Sequence, residues 1–405
     1  MKILMNLRKN FSFKIKLIIC FLLLIPVYVI MFCLRPFLII RFGQIDLSRI
    51  GHSLNYELLS LYRNENQREI FIWFMSKKIC NFQLYKMFKR NFFFFENLNM
   101  IIDTTQFFSD RYFYFLKKLI YEIDMYDYKN KLEKKGIKIS LTKKEIAHGN
   151  ELLKKIGISK NAKIVCINVR DQAYLKKNFT HRDFSYQNYR DANIKNFVYP
   201  IKNLLKKGYF VIRMGKNVSK RTNIKHKHFI DYPFTKFRSD FMDLFLIYRC
   251  NFFIGSNTGL DCIAQMFRKP LISLNMLPIS LFYLYKRKIL LAPKILIKNK
   301  RKLKLKEIFN EKIHNCHTTE CYKKKNIICQ ELNSKEINQI ISEFINLEKN
   351  LWKLSKNDQK LQNKFRSEYL KLIKVKENIN NNQSLNYKNT IGYLSCNYIK
   401  ANNWL

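Results

Sequence analysis

Glycine is scarce in this 405-residue chain, with 10 residues, and proline scarcer, with 7. The Gly-Lys-Ser/Thr ending of a P-loop is missing, and so is the G-x-G-x-x-G dinucleotide fingerprint, so both of those phosphate-holding loops are excluded. Acidic residues are few, 30 against 75 Lys and Arg, and no Asp-x-Asp pair stands near a strand end. The ten cysteines follow no regular framework, which suits free thiols in a reducing compartment. His314, Cys316, His317, Cys321 and Cys329 lie close together, but the spacing lacks the paired knuckles of a zinc site, and no metal is expected there. No small-x-small site follows Val29, and none precedes Cys33, which excludes a cleaved signal and a lipoprotein site.

What the chain does have is charge and apolar bulk. Hydrophobic residues make up 47% and aromatics 15%, which argues against global disorder. The net charge of +45 implies attraction to anionic surfaces: phospholipid, nucleic acid or phosphorylated substrates. AT-rich codon usage, which inflates Lys, Asn, Ile, Phe and Tyr together, is a rival source of those lysines. The charge runs from end to end and not in one cluster, so no specific nucleic-acid partner is expected.

Residues 17–34 are uncharged and follow Lys2, Arg8, Lys9, Lys14 and Lys16. Their length is at the lower limit for a membrane span. Pro26 is expected to kink the segment, and Arg35 and Arg41 make both flanks basic, so the positive-inside rule gives no orientation. A span, a kinked segment dipping into the leaflet and a buried N-terminal helix all fit. Residues 1–36 form the expected membrane segment.

Residues 37–135 read as a first α/β domain, with strands over Phe37–Phe42 and Glu69–Phe74 and helices over Phe82–Phe95 and Asp110–Met125. A lysine-rich linker follows, and Thr142 with Glu145 opens a helix as a capping box. Residues 142–345 alternate strands (Ala162–Val169, Tyr209–Met214, His228–Asp231, Phe252–Gly255, Pro270–Leu274) with helices, which predicts a parallel, Rossmann-like sheet. Residues 346–405 read as a C-terminal helix, continuing from Ser334 towards Lys376, and a polar tail, Asn-rich over Asn378–Asn389.

Phe252 to Asp261 runs from a buried strand through a Gly/Ser/Asn/Thr turn into a helix. The first N–H groups of a helix have no internal partner, which makes such a turn an anion site. Gly255 and Gly259 permit close approach, and Ser256, Asn257 and Thr258 add side-chain donors; a plain helix cap is the competing reading. Arg170 and Asp171, Arg213 and Gly215, and Ser256 to Thr258 each end a strand, where ligands of parallel sheets bind. Their convergence points to a nucleotide.

Several motifs together resemble a family of bacterial glycosyltransferases associated with surface-polysaccharide synthesis, over about Arg41 to Ser342. They are Arg49-Ile50-Gly51-His52, Val169-Arg170-Asp171-Gln172-Ala173-Tyr174-Leu175, Tyr189-Arg190-Asp191, Val211-Ile212-Arg213-Met214-Gly215, Arg238-Ser239-Asp240-Phe241 and Ser256-Asn257-Thr258-Gly259-Leu260-Asp261. The family looks like GT-B enzymes. The resemblance implies two Rossmann-like domains facing a cleft, with a nucleotide-sugar donor on the C-terminal one and a saccharide or lipid-linked acceptor on the N-terminal one. The turn is similar to the donor-phosphate turn of heptosyltransferase-like enzymes, which carry Asp where Asn257 sits.

Glycosyl transfer needs a stabilised diphosphate leaving group and a base for the acceptor hydroxyl. The donor set is Arg170, Arg213, Gly215, Ser256, Asn257, Thr258, Gly259 and Asp261, with no cofactor or metal. His52 leads as base, with Asp46 and Asp171 as rivals, and Arg49 and Gly51 are placed on the acceptor. His52 as a helix cap or a phosphate ligand, and Arg190 with Asp191 as a plain ion pair, stay open. The expected location is the cytoplasmic face of a bacterial inner membrane. A non-catalytic polyanion-binding protein and another nucleotide-dependent sugar-phosphate enzyme are the alternatives.

Overall fold

The computed structural model describes residues 2–62, 68–75, 78–96, 98–121, 127, 131–180, 183–284, 288–377 and 392–405. The Asn-rich stretch 378–389 and the end of the expected 110–125 helix lie outside them. The chain forms two compact units, Met1–Met125 and Tyr126–Leu405.

The first unit begins with a single long helix, α1 (Lys2–Leu34), which carries Pro26 in its interior. A parallel three-stranded sheet follows, β1 (Ile39–Ile45), β2 (Glu69–Met75) and β3 (Phe94–Glu96) in that order. Its helices are α2 (Ser53–Tyr62), α3 (Phe82–Lys89) and α4 (Asn99–Arg111), with a 3-10 turn at Tyr114–Leu119. Two expectations are corrected here. The aromatic run 82–95 splits into α3, capped by Asn81, and β3. The expected helix Asp110–Met125 is displaced: α4 ends at Arg111, and the next turn is 3-10. The backbone leaves helical geometry at Tyr112 and Phe113, which lets Phe113 and Phe115 pack onto α1 and Ile120 pair beside β1. Leu24, Tyr28 and Met31 of α1 share one core cluster with Phe42, Phe74, Ile102, Leu116 and Leu119.

The second unit carries α5 (Lys131–Lys134) and α6 (Lys143–Lys155), the latter opened by the Thr142–Glu145 capping box. Its main sheet holds β4 (Ile164–Ile167), β5 (Phe210–Arg213), β6 (Phe229–Asp231), β7 (Phe252–Gly255), β8 (Leu271–Met276), β9 (Ile289–Pro293) and, from the tail, β13 (Tyr393–Leu394). All pairs are parallel, in the order β13-β9-β8-β7-β4-β5-β6. Read from the β6 end and in this sheet's own count, that is third, second, first, fourth, fifth, sixth, seventh: the order of the dinucleotide-binding sheets with one strand added at the edge. It reverses between β4 and β7. Ile164, Val165, Cys166 and Ile167 are all fully buried, as a central strand covered on both faces requires. Each such side chain contributes about 1.5–3 kcal/mol of burial.

The intervening helices are α7 (Ala173–Asn178), α8 (Lys195–Lys206), α9 (Asp240–Arg249) and α10 (Gly259–Met266). A small antiparallel sheet, β10 (Ile295–Lys298) with β11 (Arg301–Lys302) and β12 (Ile328–Gln330), carries α11 (Leu305–Asn310) and α12 (Thr319–Lys324). The C-terminal helix is not continuous: α13 (Ser334–Lys349) stops where Leu351 and Trp352 turn left-handed, and α14 (Lys356–Glu377) starts afresh. The last helix, α15 (Cys396–Asn402), places Trp404 in the core, so the tail is part of the fold.

Candidate active site

The expected phosphate turn sits at the reversal between β4 and β7. Asn168 N–H extends the ladder to Ile254 O at 2.8 Å, and the two strand ends are then tied by side chains. Ser256 Oγ accepts from Arg170 N–H at 2.6 Å and donates to Asn168 O at 3.3 Å. Asn168 Nδ2 donates to Thr258 Oγ1 at 2.7 Å. Ser256 is fully buried, so its hydroxyl staples the wall and has no path to a ligand. That removes it from the expected donor contacts.

Asn257 is left-handed, φ 58°, a conformation that asparagine tolerates. Its Nδ2 donates to Leu277 O. Arg190 Nη2 donates to Asn257 O at 2.5 Å and lies 3.3 Å from Asn257 Oδ1. The asparagine therefore has a reason here: an aspartate would set a carboxylate against the Leu277 carbonyl. Arg190 is half-buried, and its Nε has no protein partner among the described residues. In sequence Arg190 reads equally as half of an ion pair with Asp191; in the structure it is the cation on the turn.

Thr258 caps α10, and its hydroxyl donates to Asp261 Oδ1 at 2.8 Å. Asp261 is fully buried, and burial pushes its carboxyl up to about 6 although the Thr258 hydrogen bonds and Arg190 favour the anion. A Cβ on Gly255 would stand 2.3 Å from Asp261 Oδ1. Gly255 thus makes room for Asp261 and not for a phosphate, and Asp261 braces the turn from behind. The half-buried residues of the turn are Thr258, Gly259 and Leu260, which start α10.

The other strand-end residues divide the same way. Arg213 has a side chain only 2% exposed, 3.3 Å from Asp231, and donates to Lys220 O at 2.6 Å. It is built into the wall, so its expected donor contact is withdrawn. Asp171 accepts from Ala173 N–H with one oxygen and from Ser219 N–H and Oγ with the other, each at 2.9 Å. It ties the loop after β5 to the start of α7, which leaves a base role without support. Gly215 lies in that loop at φ 141°, where a Cβ would meet Val218 Cγ1 at 2.7 Å. Arg170 is 12% exposed; it donates to Gln187 Oε1 at 2.9 Å and its Nε is 3.4 Å from Asp191.

Sequence reasoning missed two neighbours of this wall. Lys294, buried, donates to Asp191 O at 2.5 Å, and burial pulls its ammonium down. His317, on the exposed side of the wall, is held below its usual value by partial desolvation and by the Arg190 charge. Lys294 gave no sequence signal. His317 stands out in sequence only beside the cysteines. Of that cluster, Cys316 and Cys321 are joined in a disulfide, against the expectation of free thiols, and His314 stacks on Phe309 with centroids 4.1 Å apart.

The first unit holds the other chemistry. Asp46 follows β1, and Ser48 N–H donates to its Oδ1 at 2.8 Å. Asp46 N–H donates to Tyr56 OH. His52 ends the 3-10 turn Ile50–His52, with Nδ1 at 3.2 Å from Asp46 Oδ2. Burial pushes the Asp46 carboxyl up, but hydrogen bonds from His52 and Ser48 more than reverse this and hold it well below the usual range. The imidazole is 39% exposed. With Nδ1 turned to the carboxylate, Nε2 is the basic nitrogen. Two residues expected as rivals are one pair. Arg49 and Gly51 flank His52 in the same turn.

No protein-family profile and no curated protein sequence matches the chain. Solved structures do. They are glycosyltransferases. E. coli ADP-heptose lps heptosyltransferase II is 12% identical, covering 59% of this chain and 86% of its own, with a TM-score of 0.34. A glycosyl transferase of family 9 from Veillonella parvula is 10% identical over 75% of this chain and 96% of its own, with a TM-score of 0.45. TibC, an iron-containing dodecameric glycosyltransferase of enterotoxigenic E. coli, is 15% identical over 59% of each chain, with a TM-score of 0.30. TibC has also been solved with ADP-D-beta-D-heptose.

Proposed function

We propose that this chain is a GT-B-like, heptosyltransferase-like glycosyltransferase of surface-polysaccharide synthesis. It moves a sugar from a nucleotide-sugar to a saccharide or lipid-linked acceptor. The observation that carries the reading is the position of the Ser256–Asp261 turn at the β4/β7 reversal with the Arg190 guanidinium on it. A diphosphate fits a helix start and an arginine at such a reversal.

In this reading the second unit holds the donor. Thr258, Gly259 and Arg190 stabilise the charge that develops on the diphosphate, with Arg170 and Lys294 behind them. The first unit serves the acceptor. His52 Nε2 takes the proton of the attacking hydroxyl, and Asp46 orients the ring and stabilises the imidazolium. The hydroxyl oxygen bonds to the anomeric carbon, the bond from that carbon to the diphosphate oxygen breaks, and the nucleoside diphosphate leaves. Positive charge already in place supports transfer without a metal.

A thermal-shift panel of UDP-, GDP-, ADP- and CMP-sugars tests this. Stabilisation by one nucleotide class is expected. A response to generic polyanions alone points to the non-catalytic binder instead.

A further inference from the structure

The apolar segment at the N-terminus has two faces. Leu17, Leu24, Tyr28 and Met31 of α1 are buried, at helical spacing. They lie against α4 and the 114–119 turn: Tyr28 OH is 2.9 Å from Thr105 Oγ1, and Phe21 stacks on Phe108 with centroids 4.0 Å apart. The opposite stripe, Ile18, Ile19, Leu22, Val29 and Ile30, is between 50% and 59% exposed. It carries no charge, and none of the described residues buries it.

From this we infer that the first unit docks on an anionic phospholipid bilayer through the outer stripe of α1, with the helix lying in the membrane plane and not across it. The inner stripe excludes a span. A crossing helix would carry its partner α4 into hydrocarbon, with Asp103 and the Asp110–Lys117 ion pair (3.4 Å) beside it. Each charge there costs several kcal/mol. An in-plane helix immerses only its outer face, by about 5–10 Å. The rim matches a bilayer surface. Phe115 and Phe113 contact Phe32 and Phe21, and beside them Tyr112 and Tyr114 are exposed, suited to the headgroup level. Lys14, Lys16 and Arg35 flank the stripe, Arg111, Lys117 and Lys118 adjoin it, and no Asp or Glu precedes Asp46. That predominantly basic border, in which exposed Asp110 pairs with Lys117, is what selects a lipid surface over a second copy of this equally basic chain. The inference stands without the glycosyltransferase reading.

The test uses the full chain with phosphatidylcholine vesicles, with or without phosphatidylglycerol, followed by flotation. Binding to the anionic vesicles is expected, and Leu22→Glu with Ile30→Glu should lower it at least about tenfold at an unchanged unfolding midpoint. Undiminished binding of that variant, equal binding to neutral vesicles, or dimers that ignore both would overturn the proposal. Orientation is read from an N-terminal tag in sealed inside-out vesicles of a bacterial host. External protease should remove the tag and digest the globular units alike; a protected tag means a span and overturns the in-plane placement.

Discussion

His52 Nδ1 stands 3.2 Å from Asp46 Oδ2, so the first unit presents a carboxylate–imidazole pair and not two separate groups. A pair of this kind fixes the orientation and tautomer of the ring. His52→Ala is expected to lower kcat by about 10²–10⁴ with nucleotide affinity unchanged. Asp46→Asn should give a smaller kcat loss and also no change in nucleotide affinity. Comparable losses of donor binding in both variants would assign the pair to the donor.

Arg190 and Arg213 look alike in sequence, each in a family-like motif, and the structure separates them. Arg190→Ala should weaken nucleotide-sugar binding at least about tenfold, the loss of one charge-assisted contact, with the fold intact. Arg213→Ala should instead destabilise the second unit by about 1–3 kcal/mol, because Asp231 loses its guanidinium and keeps only the Thr222 hydrogen bonds. Urea unfolding beside nucleotide titration checks both.

Asn257→Asp supplies the residue of the better-known turn. It is nevertheless expected to cost about 1–3 kcal/mol of stability, since Nδ2–H to Leu277 O is replaced by two facing acceptors. Improved donor binding at unchanged stability would show that the relatives' geometry applies here.

Asp261 gives a pH dependence with a definite sign. Its folded value, about 6, exceeds the ordinary 3.8, so the folded state holds the proton more tightly. The stability it contributes is present at low pH and is lost as pH rises from about 4 through 6, by about 3 kcal/mol in all. Asp261→Asn should flatten that slope in denaturant titrations at pH 4 and pH 7. An unchanged slope would place the carboxyl elsewhere than under Gly255.

Much of the second unit was legible because its strands are short apolar runs ended by polar residues. That pattern depends only on local chain chemistry; the strand order, with its reversal between β4 and β7, is seen only in the fold. The division of labour at the strand ends was not legible. Ser256, Asp171 and Arg213 have the residue types of a ligand shell, but their partners (Asn168, Ser219, Asp231) lie on other segments. Only packing shows that they face each other. The same holds for α1, whose inner and outer stripes are both uncharged, so hydropathy alone does not say which one the fold covers. Asp46 and His52, six residues apart, needed the 3-10 turn to become neighbours.

The most direct measurement is release of nucleoside diphosphate from a panel of nucleotide-sugars with membrane-extracted acceptor, for the parent chain, His52→Ala and Arg190→Ala. One nucleotide-sugar class should support acceptor-dependent release; His52→Ala should bind it and turn over slowly, and Arg190→Ala should bind it poorly. Release by none of them, or equal release from all three proteins, would contradict the account.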